Sequence, residues 1–409
     1  MNSVEGFDRI NKNTVNTGKE VNMLYSELNS KKLSRLGFGA MRLPEKDGQV
    51  DKARVKEMVR YAMEHGVNYF DTAWPYHAGM SERVMGEILS LYPRESYYLA
   101  DKYPGHQIMK DYDPAKIFEE QLRRCKVEYF DFYLLHNVYE NSIDTYLNPD
   151  LGILEYFREQ KRQGRIKHLG FSTHARLETM ERFLDICGDD MEFCQIQLNY
   201  LDWTLQDAKA KYDMLTKRGI PVWVMEPVRG GKLASFEDQR LTDLRPNDST
   251  ASWGFRFLQQ LPNVKVILSG MSNMEHVVDN VKTFDAEKPL SDNELALLLE
   301  IAEGMKSAVP CTGCRYCFDG CPMGLDIPAM MSICSDIRFA PVVNSVMMLQ
   351  FMPEEKQPSA CIACGKCTKV CPQSIDIPEV MKELAERLES IPLWAEICRQ
   401  REEAQLDNE

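Results

Sequence analysis

Cys311-Thr312-Gly313-Cys314-Arg315-Tyr316-Cys317-Phe318-Asp319-Gly320-Cys321-Pro322 is half of an internal repeat. Its cysteines and proline recur fifty residues on as Cys361, Cys364, Cys367, Cys371 and Pro372. The echo runs past them, from Asp326-Ile327-Pro328 to Asp376-Ile377-Pro378. Three close thiolates hold three corners of a 4Fe-4S cube, and in two-cluster runs of this spacing the fourth cysteine ligates the other cluster. The spacing therefore predicts one cluster on Cys311, Cys314, Cys317 and Cys371, and a second on Cys361, Cys364, Cys367 and Cys321. Each repeat then depends on the other, and neither folds alone without metal.

Zinc is a poorer reading, because a third cysteine two residues beyond a CxxC pair has no place in a tetrahedral four-thiolate site. Disulfides need an oxidising compartment, for which nothing in the sequence argues. The long span from Cys321 to Cys361, rich in Met, Ile, Val and Phe, resembles a helical two-cluster ferredoxin. The other five of the 13 cysteines, Cys125, Cys187, Cys194, Cys334 and Cys398, sit in apolar surroundings and read as buried thiols.

A chain of 409 residues is too long for one core, so two domains are expected. A net charge of −13 without a basic cluster argues against nucleic acid or an anionic membrane as partners. No apolar run has the length of a membrane span, and the reading is a cytoplasmic protein, with exposed clusters favouring an oxygen-poor setting. Residues 1–22 are polar and read as a loose extension.

Between that extension and the cysteines, strand-like apolar runs alternate with amphipathic stretches. A hairpin turning at Asn29-Ser30 comes first. The strands expected are Leu36–Leu43, Asn68–Ala73, Tyr97–Lys102, Phe130–His136, Ile166–Thr173, Phe193–Tyr200, Pro221–Pro227 and Val264–Gly270. Eight strands alternating with eight helices predict an α/β fold, a (β/α)8 TIM barrel, over residues 23–288. A doubly wound sheet would need a Gly-rich fingerprint after the first strand, and none follows. A linker helix over 289–308 and a mostly helical dicluster domain over 309–409, closed by one helix from Glu379 to about Arg401, complete the layout.

Barrel enzymes place reacting groups where strands end. Asp71 ends the second strand, with Tyr76 in the loop after it; Lys102 ends the third and His136 the fourth. Together they suit carbonyl reduction. A tyrosine is a weak acid at neutral pH, and a nearby ammonium favours its phenolate and is expected to lower its pKa. Asp71 would fix Lys102, and His136 would aim the substrate oxygen. Trp74, His77, Tyr103 and Trp203 are either an apolar wall at the pocket mouth or barrel-top packing.

Here the chain resembles the aldo-keto reductase family over about Lys32 to Phe284, in the branch with a C-terminal two-cluster ferredoxin. The motifs run in order: Gly37-Phe38-Gly39-Ala40-Met41-Arg42, Asp71-Thr72-Ala73 with Tyr76, Ser81-Glu82, Lys102, Leu135-His136, and Gly170-Phe171-Ser172. The resemblance implies Asp71, Tyr76, Lys102 and His136 as catalytic residues and NAD(P)H as hydride source. Candidate phosphate loops follow strands seven and eight, with Glu226, Pro227, Val228, Gly231 and Lys232 in one, and Gly270, Ser272, Asn273 and His276 around the other. The resemblance adds Met41, Ser172, Gln197 and Asn280 to the dinucleotide contacts. Gly270 and His276 stand where NADP-preferring relatives carry Lys and Arg, and Met225-Glu226 stands where an aromatic often stacks on nicotinamide.

A hydride carries two electrons and a cluster one, so FMN in the barrel is a second cofactor reading beside nicotinamide. The function expected is an iron–sulfur oxidoreductase acting on a small carbonyl or alcohol, with an electron-transfer protein such as ferredoxin as partner. The alternative is an electron-transfer adaptor or redox sensor whose barrel holds a flavin or docks a partner.

Overall fold

The structure is a computed structural model and describes residues 22–305, 309, 311, 317–318, 320–339, 343–371 and 374–406. Almost all of the expected N-terminal extension, the end of the expected linker helix, Cys314 and Pro372 lie outside the described residues.

β1 (Tyr25–Leu28) and β2 (Lys31–Ser34) form the expected antiparallel hairpin. Its turn takes Asn29 and Ser30 to φ of 47° and 66°, the left-handed pair that a two-residue hairpin requires. β3 (Leu36–Gly39) opens the barrel, and a small ribbon of β4 (Glu45–Lys46) and β5 (Gln49–Val50) sits in the loop after it. β6 (Tyr69–Asp71), β7 (Tyr98–Tyr103), β8 (Phe130–Leu135), β9 (Ile166–Thr173), β10 (Cys194–Gln197), β11 (Val222–Met225) and β12 (Val264–Ser269) follow. They close with β3 into one parallel eight-stranded barrel, β12 pairing back onto β3 through Ile267 and Leu36.

The strands were legible because a parallel sheet covered on both faces is apolar at nearly every position. Every residue of β8 is buried. The covering helices bury one stripe each, as in Lys52–Glu64, where Val55, Met58, Val59 and Ala62 face inward and the Asp51 side chain accepts from Arg54 N. Inside the barrel floor, Leu33 of the hairpin packs with Tyr69, Phe132, Phe193, Trp223 and Val266. Phe193 and Trp223 lie 4.7 Å apart between ring centroids. The interior is so full that a Cβ at Gly37 would come within 2.6 Å of the Leu268 side chain. With its floor plugged, the barrel opens only at the C-terminal ends of its strands.

Helix Asp292–Met305 leads out of the barrel. Beyond it the described elements are helical: Ile327–Phe339, Val343–Gln350, Lys366–Val370, Ile377–Glu389 and Trp394–Leu406. The single closing helix expected from Glu379 to about Arg401 is two helices. Pro392, which lacks an N–H and clashes with the preceding turn, stands in the break between them. The five cysteines outside the repeat are all buried, as expected.

The helical unit docks on the open rim. Asp336, from Ile327–Phe339, forms an ion pair with Arg229 in the loop after β11 and accepts from Gln206. Gln405 of the last helix accepts from Arg124 at 3.3 Å and donates to Trp74 O at 3.2 Å. Among the described residues no helix is long and apolar enough to cross a membrane.

Candidate functional site

The register of β6 and β7 pairs Asp71 with Ala100, which sets Lys102 one pleat further up on the same face. The Lys102 ammonium donates to Asp71 Oδ1 at 2.5 Å and to Thr72 O at 2.7 Å, and lies 3.5 Å from the Tyr76 hydroxyl. Lys102 is fully buried and Asp71 2% exposed, so the pair is shielded from water and salt. Tyr76 is held by a tight loop. Ser81 N donates to Tyr76 O, and Ser81 Oγ joins Thr72 Oγ1 to Ala40 O. His77 and Ala78 both take left-handed φ near 50°, a strain that non-glycine residues bear only when the surroundings impose it. The Tyr76 ring meets the His136 ring edge-on at 6.0 Å. The four expected residues are therefore brought to one point.

Their electrostatics differ from expectation in one respect. Burial raises the Tyr76 pKa above 10. Lys102 pulls it down as anticipated, but burial outweighs that pull, and Asp71 and Glu226 add to the rise. The phenol stays protonated at neutral pH. Burial alone would lower the Lys102 pKa, but the charge and hydrogen bond of Asp71 reverse this and hold the ammonium cationic. His136 is pushed well below its usual range, first by burial and then by His106 and Lys102, so it is a neutral imidazole. Asp71 Oδ2 and His136 Nδ1 find no hydrogen-bond partner among the described residues.

A histidine kept neutral is also a stability element. Burial lowers the His106 pKa to about 3, against an unfolded value of about 6.5. Between these values the unfolded chain binds a proton that the folded chain refuses, so stability falls as pH drops from about 6.5 towards 3. At pH 5 the loss from His106 is about 2 kcal/mol. Urea unfolding at pH 7 and pH 5 tests it. His106→Phe, which keeps a ring beside Trp394 (centroids 6.3 Å apart), is expected to flatten the pH slope by that amount. An unchanged slope would refute the assignment.

A groove of about 1220 Å³ runs from Asp71 and Tyr76 across the ends of β3, β11 and β12. Of the residues expected there, it takes in Met41, Glu226, Pro227, Val228, Gly231, Gly270, Ser272, His276 and Asn280. Four are placed elsewhere. Ser172 turns away to accept from Asn137 N at 2.8 Å. Lys232 is exposed on the outside of the turn Arg229–Ala234. Asn273 caps the helix Met274–Thr283, its side chain accepting from His276 N. Gln197, its amide held by Asp202 Oδ2 at 2.8 Å, lines a separate cleft with His174 and Lys211, whereas Gln195, one pleat deeper on the same face, lines the groove with a buried, unpartnered Oε1. Arg42, quoted only as part of a motif, reaches over the groove to Glu226 at 3.1 Å. Exposed as it is, this pair adds at most about 1 kcal/mol and opens readily.

Of the aromatic candidates for a pocket wall, none lines the groove. Tyr103 is fully buried against Phe157, Trp74 lies under the Arg124 guanidinium and Trp203 packs edge-on against Phe257. His77 accepts from Leu43 N.

In the helical unit, Cys321, Cys361, Cys364 and Cys367 line one cavity of about 360 Å³, walled by Leu325, Ile327, Ile377 and Met381. These are the four sulfurs predicted to share the second cube, one from the first repeat and three from the second. The repeated Asp-Ile-Pro also gains a meaning. Asp326 and Asp376 accept from Ala329 N and Glu379 N at the starts of two helices, and Ile327 and Ile377 form the cavity wall. Cys311, Cys317 and Cys371 pack into the same apolar core, while Cys314 lies outside the described residues.

Comparison with known proteins places both regions of the chain in known families. Residues 35–303 match the profile described as the Aldo/keto reductase family, and residues 310–375 match a 4Fe-4S dicluster domain. An Escherichia coli (strain K12) protein described as NADH-specific methylglyoxal reductase is 24% identical over 323 residues, covering 67% of this chain and 96% of that one. L-galactose dehydrogenase of Arabidopsis thaliana is 25% identical, covering 61% and 84%. Among solved structures, the aldo-keto reductase AKR11C1 from Bacillus halodurans (holo form) superposes with a TM-score of 0.56 at 24% identity, covering 68% of this chain and 96% of that chain. An aldo/keto reductase from Klebsiella pneumoniae in complex with NADP and acetate gives 0.54 at 22%, covering 67% and 93%.

Proposed function

This chain belongs to the aldo/keto reductase family and carries a 4Fe-4S dicluster domain, and on that premise we propose that it reduces a small carbonyl compound, or oxidises the matching alcohol, at Tyr76. The observation that carries the reading is the buried Lys102 ammonium, which ties Asp71 to the Tyr76 hydroxyl at the edge of a groove that runs on across the ends of β3, β11 and β12.

The groove fits a nicotinamide dinucleotide. Gln195 has an unpartnered amide oxygen, and the backbone at Ser269–Ser272 borders the groove beside the N-terminus of the Met274–Thr283 helix, which favours an anion. When bound, the nicotinamide supplies a hydride and the iron–sulfur clusters supply single electrons. The chain's own residues do the rest. The loaded Tyr76 phenol gives its proton to the carbonyl oxygen. The Lys102 ammonium stabilises the phenolate left behind, and Asp71 fixes Lys102. Neutral His136 hydrogen-bonds the same oxygen and aims it. Cys321, Cys361, Cys364 and Cys367 would hold one cluster, and an external electron-transfer protein such as a ferredoxin would exchange electrons with it.

Anaerobic reconstitution tests this. Protein with iron and sulfide restored should bleach its cluster absorbance under NAD(P)H, consuming no more than the clusters can take up, and should sustain NADH or NADPH oxidation beyond that only when a carbonyl compound is added. Oxidation without bleaching leaves the barrel chemistry standing and removes the coupling. No carbonyl-dependent oxidation across a panel of aldehydes and ketones removes the reading itself.

A further inference from the structure

The last helix, Trp394–Leu406, follows both cysteine repeats in the chain, yet it packs on the barrel. Its Trp394 and Cys398 belong to the barrel's apolar core, with Ile397 against it. The helices Ile327–Phe339 and Ile377–Glu389 instead build a separate core with the cluster cysteines. The break at Pro392 lets the chain leave one core for the other. Just after it, Trp394 N donates to Gln350 Oε1 at 2.9 Å, which fixes where the last helix starts.

Its far end grips the loop that carries Tyr76. Buried Gln405 donates to Trp74 O at 3.2 Å, two residues before Tyr76, and accepts from Arg124 at 3.3 Å. Arg124 is itself anchored by ion pairs to Glu82 and Glu120, and its guanidinium covers the Trp74 ring at 4.0 Å. Three residues after Tyr76, Gly79 takes a φ of 79° and lies against the Gln405 stem. A Cβ there would come within 2.9 Å of Gln405 Cγ. Gly79 N and Ser81 N both donate to Tyr76 O. Gln405 therefore touches this loop on both sides of the tyrosine.

The near end meets the other side of the site. Buried His106, in the loop after β7, stacks on the Trp394 ring at 6.3 Å and meets the His136 ring edge-on at 4.3 Å. Arg401, on the same helix, lies over the Trp394 ring at 5.0 Å. One helix thus bears on the Tyr76 loop through Gln405 and on His136 through His106. Gln405 reaches neither the Tyr76 hydroxyl nor Lys102, so any effect it has on the chemistry passes through the loop it holds.

We propose that the Trp394–Leu406 helix is a clamp on the reacting loops, and that Gln405, through its bond to Trp74 O, is the positioning residue for Tyr76. The inference deepens the carbonyl-reductase reading and rests on it for turnover, though not for the order of the loop. Proton transfer from a general acid depends on where its hydroxyl is held. The segment that bears both cysteine repeats then serves the barrel by contact as well, whatever electrons it carries, since it joins the clamp to the barrel.

Two variants of the reconstituted full chain test it. Gln405→Met keeps the bulk beside Gly79 and loses both hydrogen bonds. Gln405→Glu keeps an acceptor for Arg124 and loses only the donation to Trp74 O. Both should lower kcat about tenfold, with iron content and the dissociation constant for NADH or NADPH within about twofold of wild type. A loosened loop also lets water reach Tyr76 and relieves the burial that raises its pKa, so the alkaline limb of kcat should move to lower pH. Loop order is read without turnover, by hydrogen exchange in a peptide covering residues 73–81. Its amides should exchange about tenfold faster in both variants, while those of the helix Lys52–Glu64 stay unchanged. That result supports the clamp even if no carbonyl is reduced, which separates its failure from that of the catalytic reading. Exchange like that of wild type in both variants overturns the proposal. So does an active enzyme whose kcat and pH limb stay put while the loop loosens, and so does a Gln405→Glu variant that matches wild type while Gln405→Met is impaired.

Discussion

Tyr76→Phe is expected to lower kcat for carbonyl reduction by about 10²- to 10⁴-fold, the range for losing a positioned general acid. The substitution is clean because the hydroxyl's neighbour is the Lys102 ammonium at 3.5 Å, which keeps its shorter bonds to Asp71 and Thr72. The ring, which meets His136 edge-on, stays. KM for the dinucleotide and the unfolding midpoint should therefore hardly move. Because burial holds the phenol protonated above its ordinary pKa, wild-type turnover should show no loss of the acid through neutral pH. Carbonyl turnover in Tyr76→Phe within threefold of wild type would sink the assignment of Tyr76 as the acid. The barrel would then be better read as a holder or docking site for a redox partner.

Iron content is the second large effect. Wild-type protein should carry about eight irons per chain and Cys321→Ser about four. The informative variant is the double one. Cys321 and Cys367 line the same cavity although they come from different repeats. If they share one cube, Cys321→Ser with Cys367→Ser still retains about four irons. If each repeat bound its own cube, the double variant would lose both. Loss of one cube should also loosen the helices built on its wall, because Ile327 and Ile377 face the cavity from the starts of two of them. A double variant stripped of all its iron would contradict crossed ligation.

Much of this was readable from residue order. Eight apolar runs gave eight strands, because burial on both faces leaves no polar alternation to confuse them. Asp71, Tyr76, Lys102 and His136 stood out because strand ends in a barrel converge on one rim, so position along each strand predicts proximity. Pro392 was also visible, and its break in the closing helix was a signal overlooked. The resemblance pointed to Gln197, but the groove takes in Gln195 two residues earlier on the same face; both share the strand's period, and only the place of the groove separates them. The pKa of Tyr76 was misjudged because a neighbouring cation can be guessed from order, while the weight of burial against it cannot. The Arg42–Glu226 contact joins residues far apart in the chain, and no local pattern announces it.

The barrel, the two cysteine repeats and the gathering of Asp71, Lys102 and His136 around Tyr76 follow from residue order alone. Each of these is set by a short-range regularity: the apolar period of a strand, the spacing of thiolates, the place of a residue at a strand's end. That the helical unit sits over the open rim, that Asp336 pairs with Arg229 and that Gln405 reaches Arg124 and Trp74 emerges only on packing. Those facts depend on which surfaces meet when two separately patterned regions pack together. Shape and charge at that junction are properties of the assembled surfaces, and neither region's residue order contains them.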